Sequence, residues 1–276
     1  MFKEGLFNNK VALITGGGTG LGLEIGKKLL SYGAKLIIAG RRFDVLEATA
    51  KEISKSPGDV LPIKCDVRDI HEIEDLFDTG FKEFGKIDFL INNAAGNVLS
   101  PTERLSHNAF EIVIDIVLKG TINCSLVFGK KLIANNIPGS IINMSTNYAS
   151  EGTGFMIPSA CAKGGVEVLT KSLASEWAKY NIRVNAIAPG PIPTKGAWER
   201  ISPDGLLSED KIPFKRFGTY DELSDLASYL LSPSAEYITG QIICIDGGMT
   251  LSRGYSYLND VPTEDWNKML KKTKRL

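Results

Sequence analysis

Ser159 and Lys163, four positions apart at the start of a predicted helix, carry the side chains with the most obvious chemical potential. A serine beside a lysine can serve as nucleophile and base in a hydrolase. The Ser-x-x-Lys motif places two residues between them, whereas three intervene here. Tyr148 and Asn97 are further groups that can donate hydrogen bonds to a reacting oxygen. Either could instead be structural, Tyr148 as a packing aromatic and Asn97 as a turn residue.

A glycine-rich turn near the N-terminus indicates a phosphate-binding site. Residues 15–22 read Thr-Gly-Gly-Gly-Thr-Gly-Leu-Gly, between an apolar strand pattern and a helical one. Glycines let the backbone approach a pyrophosphate, and a helix N-terminus supplies free amide donors and the positive end of the helix dipole. The spacing is not the literal Gly-x-Gly-x-x-Gly fingerprint, but the strand-to-helix context is the right one. We therefore predict a dinucleotide site that includes Gly16, Gly18, Thr19, Gly20 and Leu21.

The end of the second predicted strand distinguishes between the two nicotinamide dinucleotides. NAD-binding proteins commonly place an Asp or Glu there, to accept a hydrogen bond from the ribose 2′-hydroxyl. This chain has Arg41 and Arg42 instead. Arginine suits the 2′-phosphate of NADP, so we predict that the cofactor is NADPH/NADP and that Arg41 contacts it. The alternative is that both arginines are merely solvated.

Short β-branched runs alternate with helical patterns along the whole chain, which is typical of a parallel sheet covered by helices on both faces. The predicted strands are Val11–Thr15, Lys35–Ala39, Leu61–Asp66, Phe89–Asn92, Ser140–Ser145, Arg183–Ala188 and Gln241–Asp246. The predicted helices are Gly20–Tyr32, Arg42–Ser54, Ile70–Phe84, Asn108–Ala134, Ser159–Tyr180 and Tyr220–Leu231. We predict an α/β class protein, a single-domain doubly wound Rossmann fold over residues 1–276 with about seven strands. Residues 193–219 break the rhythm and are predicted to form a substrate-binding loop.

The composition limits the possible partners. Lys plus Arg and Asp plus Glu each number 32, so no overall field attracts nucleic acid or a membrane surface. The strand-like apolar runs are too short to cross a bilayer. Four cysteines and two histidines lack metal-ligand spacing, so we predict no metal, buried free thiols and surface histidines. The first residues lack a signal or transit pattern, which predicts a cytoplasmic protein, or a mitochondrial-matrix one if a eukaryotic form is processed.

Three segments together resemble the short-chain dehydrogenase/reductase family: Thr15–Gly22, Asn92–Asn97 and the lysine segment Pro158–Gly165. The family's usual site combines a serine, a tyrosine, a lysine and a helix asparagine. Its tyrosine protonates a carbonyl oxygen, and its lysine lowers the tyrosine pKa and holds the nicotinamide ribose. The resemblance places three further residues at the cofactor, with Asp66 near the adenine and Pro189 and Ile192 on the nicotinamide side.

The chain departs from that pattern at three of the four catalytic positions. Ser159 replaces the tyrosine, Thr146 stands at the serine position and Val117 at the asparagine position, while Lys163 is kept. One branch of the family keeps this altered pattern, namely the NADPH-dependent 2,4-dienoyl-CoA reductases of the mitochondrial type. The resemblance to it is densest in residues 92–113, 115–118 and 189–197. It implies a homotetramer whose active-site residues are Asn97, Tyr148, Ser159 and Lys163, with acyl-CoA contacts at Arg68, Ser106 and Arg200.

The chemistry of that branch accounts for the substitutions. A hydride that reaches C5 of a dienoyl thioester pushes charge onto the thioester oxygen, which Tyr148 and Asn97 would stabilise. The small Ser159 leaves room near Lys163 for water, which protonates Cα, and the product is a 3-enoyl-CoA. The alternatives are a trans-2-enoyl-CoA reductase, a carbonyl reductase that uses Tyr148, and a non-catalytic NADP-binding scaffold. The basic tail 268–275 is either a solvated helix end or a contact for coenzyme A or a neighbouring subunit.

Overall fold

One parallel sheet forms the centre of the protein, whose computed structural model describes residues 2–194 and 208–252. Its seven strands are β1 (Val11–Thr15), β2 (Lys35–Gly40), β3 (Val60–Lys64), β4 (Phe89–Asn92), β5 (Gly139–Met144), β6 (Ile182–Pro189) and β7 (Ile242–Ile245). Their order is β3-β2-β1-β4-β5-β6-β7, and every neighbouring pair is parallel. The order reverses between β1 and β4, and sheets of this kind bind ligands at that point. The predicted doubly wound sheet is confirmed.

Helices connect the strands and cover both faces of the sheet. Within residues 2–194 and 208–252 they are α1 (Gly20–Ser31), α2 (Phe43–Ile53), α3 (Ile70–Phe84), α4 (His107–Ile114), α5 (Gly120–Asn135), α6 (Ile157–Trp177) and α7 (Tyr220–Leu231). Short 3₁₀ turns lie at Thr102–Arg104, Ala178–Tyr180, Glu209–Lys211, Pro233–Ala235 and Met249–Leu251. A π-helical turn, Asp115–Lys119, joins α4 to α5 without a break. The sequence predicted one regular helix there, because a single wide turn shifts the apolar pattern without removing it.

The core lies in two layers, one on each face of the sheet. All five residues of β1 are buried. Successive strand residues point to opposite faces, and accordingly Leu13 packs in one apolar cluster with Phe77 and Phe128, while Ile14 packs in the other with Ile25. This two-sided burial explains why the strands read as continuous apolar runs rather than alternating ones.

The helical stretch His107–Asn135 is long and apolar enough to cross a membrane by length and composition alone, and 50% of its most apolar window is buried. Its inward side chains, such as Val117 and Phe128, belong to one of the two core layers. We therefore assign this stretch to the core of the α/β fold.

The cysteines correct one expectation. All four are free, but only Cys65 and Cys124 are buried, whereas Cys161 and Cys244 are exposed. Cys161 lies on the outer side of α6, and Cys244 lies on β7, the edge strand of the sheet. Apolar character alone could not show which thiols face solvent.

Candidate active site

A cleft of about 1190 Å³ lies at the carboxyl ends of the strands. Its wall holds every residue predicted for the cofactor or for catalysis, namely Gly16, Gly18, Thr19, Gly20, Leu21, Arg41, Asp66, Asn97, Tyr148, Ser159, Lys163, Pro189 and Ile192. Two of the predicted substrate contacts, Arg68 and Ser106, do not line it. The third, Arg200, lies outside the described residues, as do 195–207 of the predicted loop and the basic tail. Ser106 caps α4, where its hydroxyl accepts from the Ala109 amide at 3.2 Å.

The glycine turn after β1 is held against the loop after β4. The Asn93 side-chain amide donates to the carbonyls of Thr15 and Gly16, at 3.0 and 3.1 Å. The Thr15 hydroxyl in turn accepts from the backbone amides of Asn93 and Ala94, both at 3.0 Å. A Cβ on Gly16 (φ +65°) would lie 3.0 Å from the Asn93 amide nitrogen, and one on Gly22 only 2.4 Å from it. The turn therefore needs glycine because Asn93 packs against it, a partner that sequence reasoning missed.

The N-terminus of α1 fits a pyrophosphate. The side chain of its N-cap residue, Thr19, makes no capping hydrogen bond, and the first turn carries no acidic residue. The first amides of the helix therefore remain available to an anion, which the helix dipole also favours. Gly20 has φ +58°, and a Cβ there would meet nothing within 4 Å, so this face of the turn is open. The residues present at this helix N-terminus therefore fit a dinucleotide phosphate.

The adenosine side of the cleft is rich in charge. Exposed Arg41 follows the last residue of β2. Next to it Asp66 accepts from Arg68, with Nη2 at 2.5 Å and Nε at 3.0 Å. The Arg68 hydrogen bonds, assisted by the charge of Arg41, hold the Asp66 pKa below its ordinary range. Asp66 and Arg68 were predicted to bind different parts of the ligands, but here they bind each other. Their ligand roles stay predictions.

At the reacting centre the loop after β5 meets the first turns of α6. The Tyr148 hydroxyl lies 3.1 Å from the Ser159 hydroxyl, which is itself buried. Lys163, one turn further along α6, is 5% exposed, and its ammonium donates to the carbonyl oxygen of Met144. Burial lowers the Lys163 pKa to about 8. Tyr148, Ser159 and Lys163 thus all line the cleft.

Asn97 lines the same cleft from the loop after β4. Its carboxamide oxygen accepts from the Val98 backbone amide at 2.8 Å, and its nitrogen donates to the Met156 sulfur at 3.1 Å. The loops that carry Asn97 and Met156 are also joined by a backbone bond of 2.9 Å from the Ser100 amide to the Phe155 carbonyl. Strands β4 and β5 are neighbours, which brings the two loops together. Sequence reasoning did not single out Met156.

Two positions where the chain departs from the family pattern have definite surroundings. Val117 is fully buried within the π turn, so no polar group enters the cleft from that helix position. The Thr146 hydroxyl is buried and lacks a hydrogen-bond partner among the described residues, although Thr146 lines the cleft. Its neighbour Ser145, which also lines the cleft, donates to Glu167 at 2.7 Å. The Pro189 end of β6 is held by the Gly190 amide, which donates to Ile245 at 2.9 Å.

A doubly wound sheet, a glycine turn open to phosphate, and a buried lysine and a phenol that line the same cleft define a nicotinamide-dinucleotide oxidoreductase. The family model described as enoyl-(acyl carrier protein) reductase matches residues 16–250. A short-chain dehydrogenase from Bacillus anthracis has the same fold in its crystal structure, with a TM-score of 0.81 and 43% identity, over 87% of this chain and 96% of that one. The chain belongs to the short-chain dehydrogenase/reductase family.

The curated relatives point to one branch of the family. A probable 2,4-dienoyl-CoA reductase of Caenorhabditis elegans, named as (3E)-enoyl-CoA-producing, is 43% identical over 94% of this chain and 86% of its own length. A probable 2,4-dienoyl-CoA reductase of Bacillus subtilis, named as (2E)-enoyl-CoA-producing, is 41% identical over 88% of this chain and 97% of its own length. The resemblance drawn from the sequence is confirmed, and the two names differ in the product formed.

Proposed function

We propose that this protein reduces 2,4-dienoyl-CoA thioesters to 3-enoyl-CoA with NADPH, in the β-oxidation of unsaturated fatty acids. The observation that carries the proposal is that two neutral donors, Tyr148 and Asn97, line one cleft in which Ser159 replaces the usual catalytic tyrosine. Both relatives are named 2,4-dienoyl-CoA reductases; the proposed 3-enoyl product agrees with the name of the Caenorhabditis elegans relative and differs from that of the Bacillus subtilis relative. A ketone reductase with those losses would lack its proton donor, whereas a dienoyl-CoA reductase needs stabilisation of a thioester oxyanion.

The dinucleotide, when bound, supplies a hydride to C5 of the substrate. The electron pair of the C4–C5 π bond then moves through the conjugated system, and negative charge gathers on the thioester oxygen. The Tyr148 hydroxyl and the Asn97 amide donate hydrogen bonds to that oxygen. One such donor is worth about 3–4 kcal/mol in comparable oxyanion holes. The donors need not give up a proton, so the loss of the family tyrosine is tolerated.

Protonation completes the reaction at Cα, which moves the remaining double bond to C3–C4. Water is the source that we propose, because Ser159 is small and leaves room beside Lys163. Ser159 also holds the Tyr148 hydroxyl at 3.1 Å, so that the phenol can accept from the serine while it donates to substrate. The Lys163 ammonium would hold the nicotinamide ribose and would place positive charge near the developing anion.

The cofactor preference follows from the charge at the end of β2. Arg41 lies on the cleft wall, and its guanidinium suits a 2′-phosphate. We therefore propose NADPH rather than NADH.

The remaining partners follow from the same assignment. Coenzyme A would contact Arg68, Ser106 and Arg200, and we propose neither a nucleic-acid nor a membrane partner. We propose a homotetramer, as the family resemblance implies, in which the apolar side chains that α5 and α6 expose, Leu126 and the 65% exposed Val168, would be covered. A cytoplasmic location is proposed, or the mitochondrial matrix for a processed form.

The test is NADPH consumption with three acceptors, namely 2,4-hexadienoyl-CoA, trans-2-hexenoyl-CoA and a simple ketone. We expect turnover with the dienoyl thioester alone. A second candidate, trans-2-enoyl-CoA reduction, is favoured by the description of the matching family model. Oxidation of NADPH by the 2-enoyl thioester would support it, turnover of the ketone would support a carbonyl reductase, and NADPH binding without turnover of any acceptor would support a scaffold.

A further inference from the structure

We infer that Met156 is a positioning residue, whose sulfur fixes the Asn97 carboxamide in the orientation that presents an N–H to the substrate. This inference rests on the proposed function, in which Asn97 stabilises the thioester oxygen. Met156 immediately precedes α6 and lines the same cleft as Asn97. Its thioether can only accept a hydrogen bond, so the group it meets at 3.1 Å must be the amide nitrogen of Asn97.

Different partners hold the oxygen and the nitrogen of the Asn97 carboxamide, and both favour the same orientation of the amide. The backbone amide of Val98 can only donate, so it selects the Asn97 oxygen, at 2.8 Å. Met156 selects the nitrogen at the other end. Rotation of the amide by 180° would place an acceptor against an acceptor and a donor against a donor, which both contacts oppose. The nitrogen carries two hydrogens, and the sulfur takes one of them. The other remains for an oxygen in the cleft.

This fixation matters because Asn97 is otherwise poorly restrained. Its side chain is exposed on a loop rather than packed inside the core. A donor that is free to rotate loses part of its effect on the transition state, because it must be ordered during the reaction. A long, unbranched side chain suits this task, since its sulfur can reach across from the neighbouring loop.

The backbone around Met156 supports the same contact. Phe155 has φ +65°, a left-handed conformation that is unusual for an aromatic residue. That conformation accompanies the backbone bond from the Ser100 amide to the Phe155 carbonyl. The strand-end loops that carry Asn97 and Tyr148 are therefore joined at two points next to each other, one through the backbone and one through the Met156 sulfur. Strained backbone that persists beside reactive groups is common in active sites.

Met156→Leu tests the inference, because leucine keeps an apolar side chain of similar size and removes the acceptor. We expect kcat with 2,4-hexadienoyl-CoA to fall about fivefold, which corresponds to about 1 kcal/mol, while KM for NADPH stays unchanged. Met156→Gln restores an acceptor on a side chain of similar length and should recover at least half of the lost rate. In the Asn97→Ala background, Met156→Leu should change kcat by less than about twofold, because the contact is already absent.

A crystal structure of the Met156→Leu variant gives a readout that needs no turnover. We expect the Asn97 carboxamide to be rotated or spread over two orientations there, and to be single and ordered in the parent protein. An equal loss of rate in both backgrounds, or an unchanged Asn97 in the Leu variant, would overturn the inference. Failure of the parent protein to reduce any dienoyl thioester would overturn the proposed function instead, and the crystallographic comparison would still decide the role of Met156.

Discussion

Because Lys163 is buried, the free energy of unfolding of the unliganded protein should depend on pH, and the substitution Lys163→Met should remove that dependence. The pKa of this lysine falls from the ordinary 10.5 to about 8 because the ammonium is desolvated. At pH 7 the group is charged in both the folded and the unfolded states, so the folded state bears the full cost of burying the charge. The gap between 10.5 and about 8 corresponds to about 3 kcal/mol.

The cost disappears as pH rises. Between pH 8 and 10.5 the folded protein has released the proton of Lys163 while the unfolded chain still holds it, so the free energy of unfolding increases with pH through that window. The Lys163→Met variant has no titrating group at this position. Relative to the parent protein, its stability should fall by about 2 kcal/mol between pH 7 and pH 10. Loss of the hydrogen bond to Met144 changes the free energy of unfolding of the variant by the same amount at every pH. It therefore does not alter how the difference between the two proteins varies with pH.

Urea unfolding of both proteins at pH 7, 8, 9 and 10, without dinucleotide, measures this difference. Other lysines and tyrosines titrate in the same range, but they do so in both proteins and cancel. A difference in the free energy of unfolding that stays constant within about 0.5 kcal/mol across the range would refute the reasoning. It would mean that the ammonium of Lys163 is hydrated and that burial does not lower its pKa.

Three further perturbations test the remaining parts of the site. Arg41→Asp should raise KM for NADPH at least about tenfold and change KM for NADH much less, in steady-state assays with each cofactor, because it replaces the partner of the 2′-phosphate with a repelling charge. Ser159→Tyr should lower dienoyl-CoA turnover by filling the space for water and leave ketone reduction poor, because Thr146 remains; a large gain of ketone reductase activity with undiminished dienoyl-CoA turnover would contradict this. Gly22→Ala places a Cβ 2.4 Å from the Asn93 amide nitrogen, so urea denaturation should show a loss of about 2 kcal/mol, and unchanged stability would refute the packing argument.

Much of the fold could be predicted because its signals are local. Apolar runs of four to eight residues gave all the strands of the described sheet to within two residues at either end. The alternation with helices predicted the parallel topology, since parallel strands need crossovers. The π turn at Asp115–Lys119 could not be predicted in this way. It depends on the widening of one backbone turn, which hardly changes the pattern of apolar side chains.

The site, like the fold, has parts that the sequence predicts and parts that it does not. Residues that the sequence motifs identified, such as Gly16 and Lys163, lie on the wall of the cleft. Contacts that join distant segments were not predictable, because they depend on the packing of loops. Asn93 against the glycine turn and Met156 against Asn97 are examples. The mutual pairing of Asp66 and Arg68 was also missed, although the two residues are only two positions apart.

The most direct test of the oxyanion role is the replacement of one donor. Tyr148→Phe keeps the ring and removes the hydroxyl, so kcat with 2,4-hexadienoyl-CoA should fall by about two to three orders of magnitude. The affinity for NADPH, measured by fluorescence titration, should barely change because the hydroxyl is assigned to the substrate. A near-full rate in this variant would show that Tyr148 is only a packing aromatic.

The central claim concerns where the hydride and the proton are placed, and isotopic labelling reads both positions in one experiment. The protein is given 2,4-hexadienoyl-CoA with NADPH deuterated at the transferred position in ordinary water, and separately with unlabelled NADPH in deuterated water. The account predicts 3-hexenoyl-CoA with cofactor deuterium at C5 and solvent deuterium at C2. Cofactor deuterium at C3 would contradict it and indicate ordinary enoyl reduction, and solvent deuterium at C4 in a 2-enoyl product would contradict protonation at Cα.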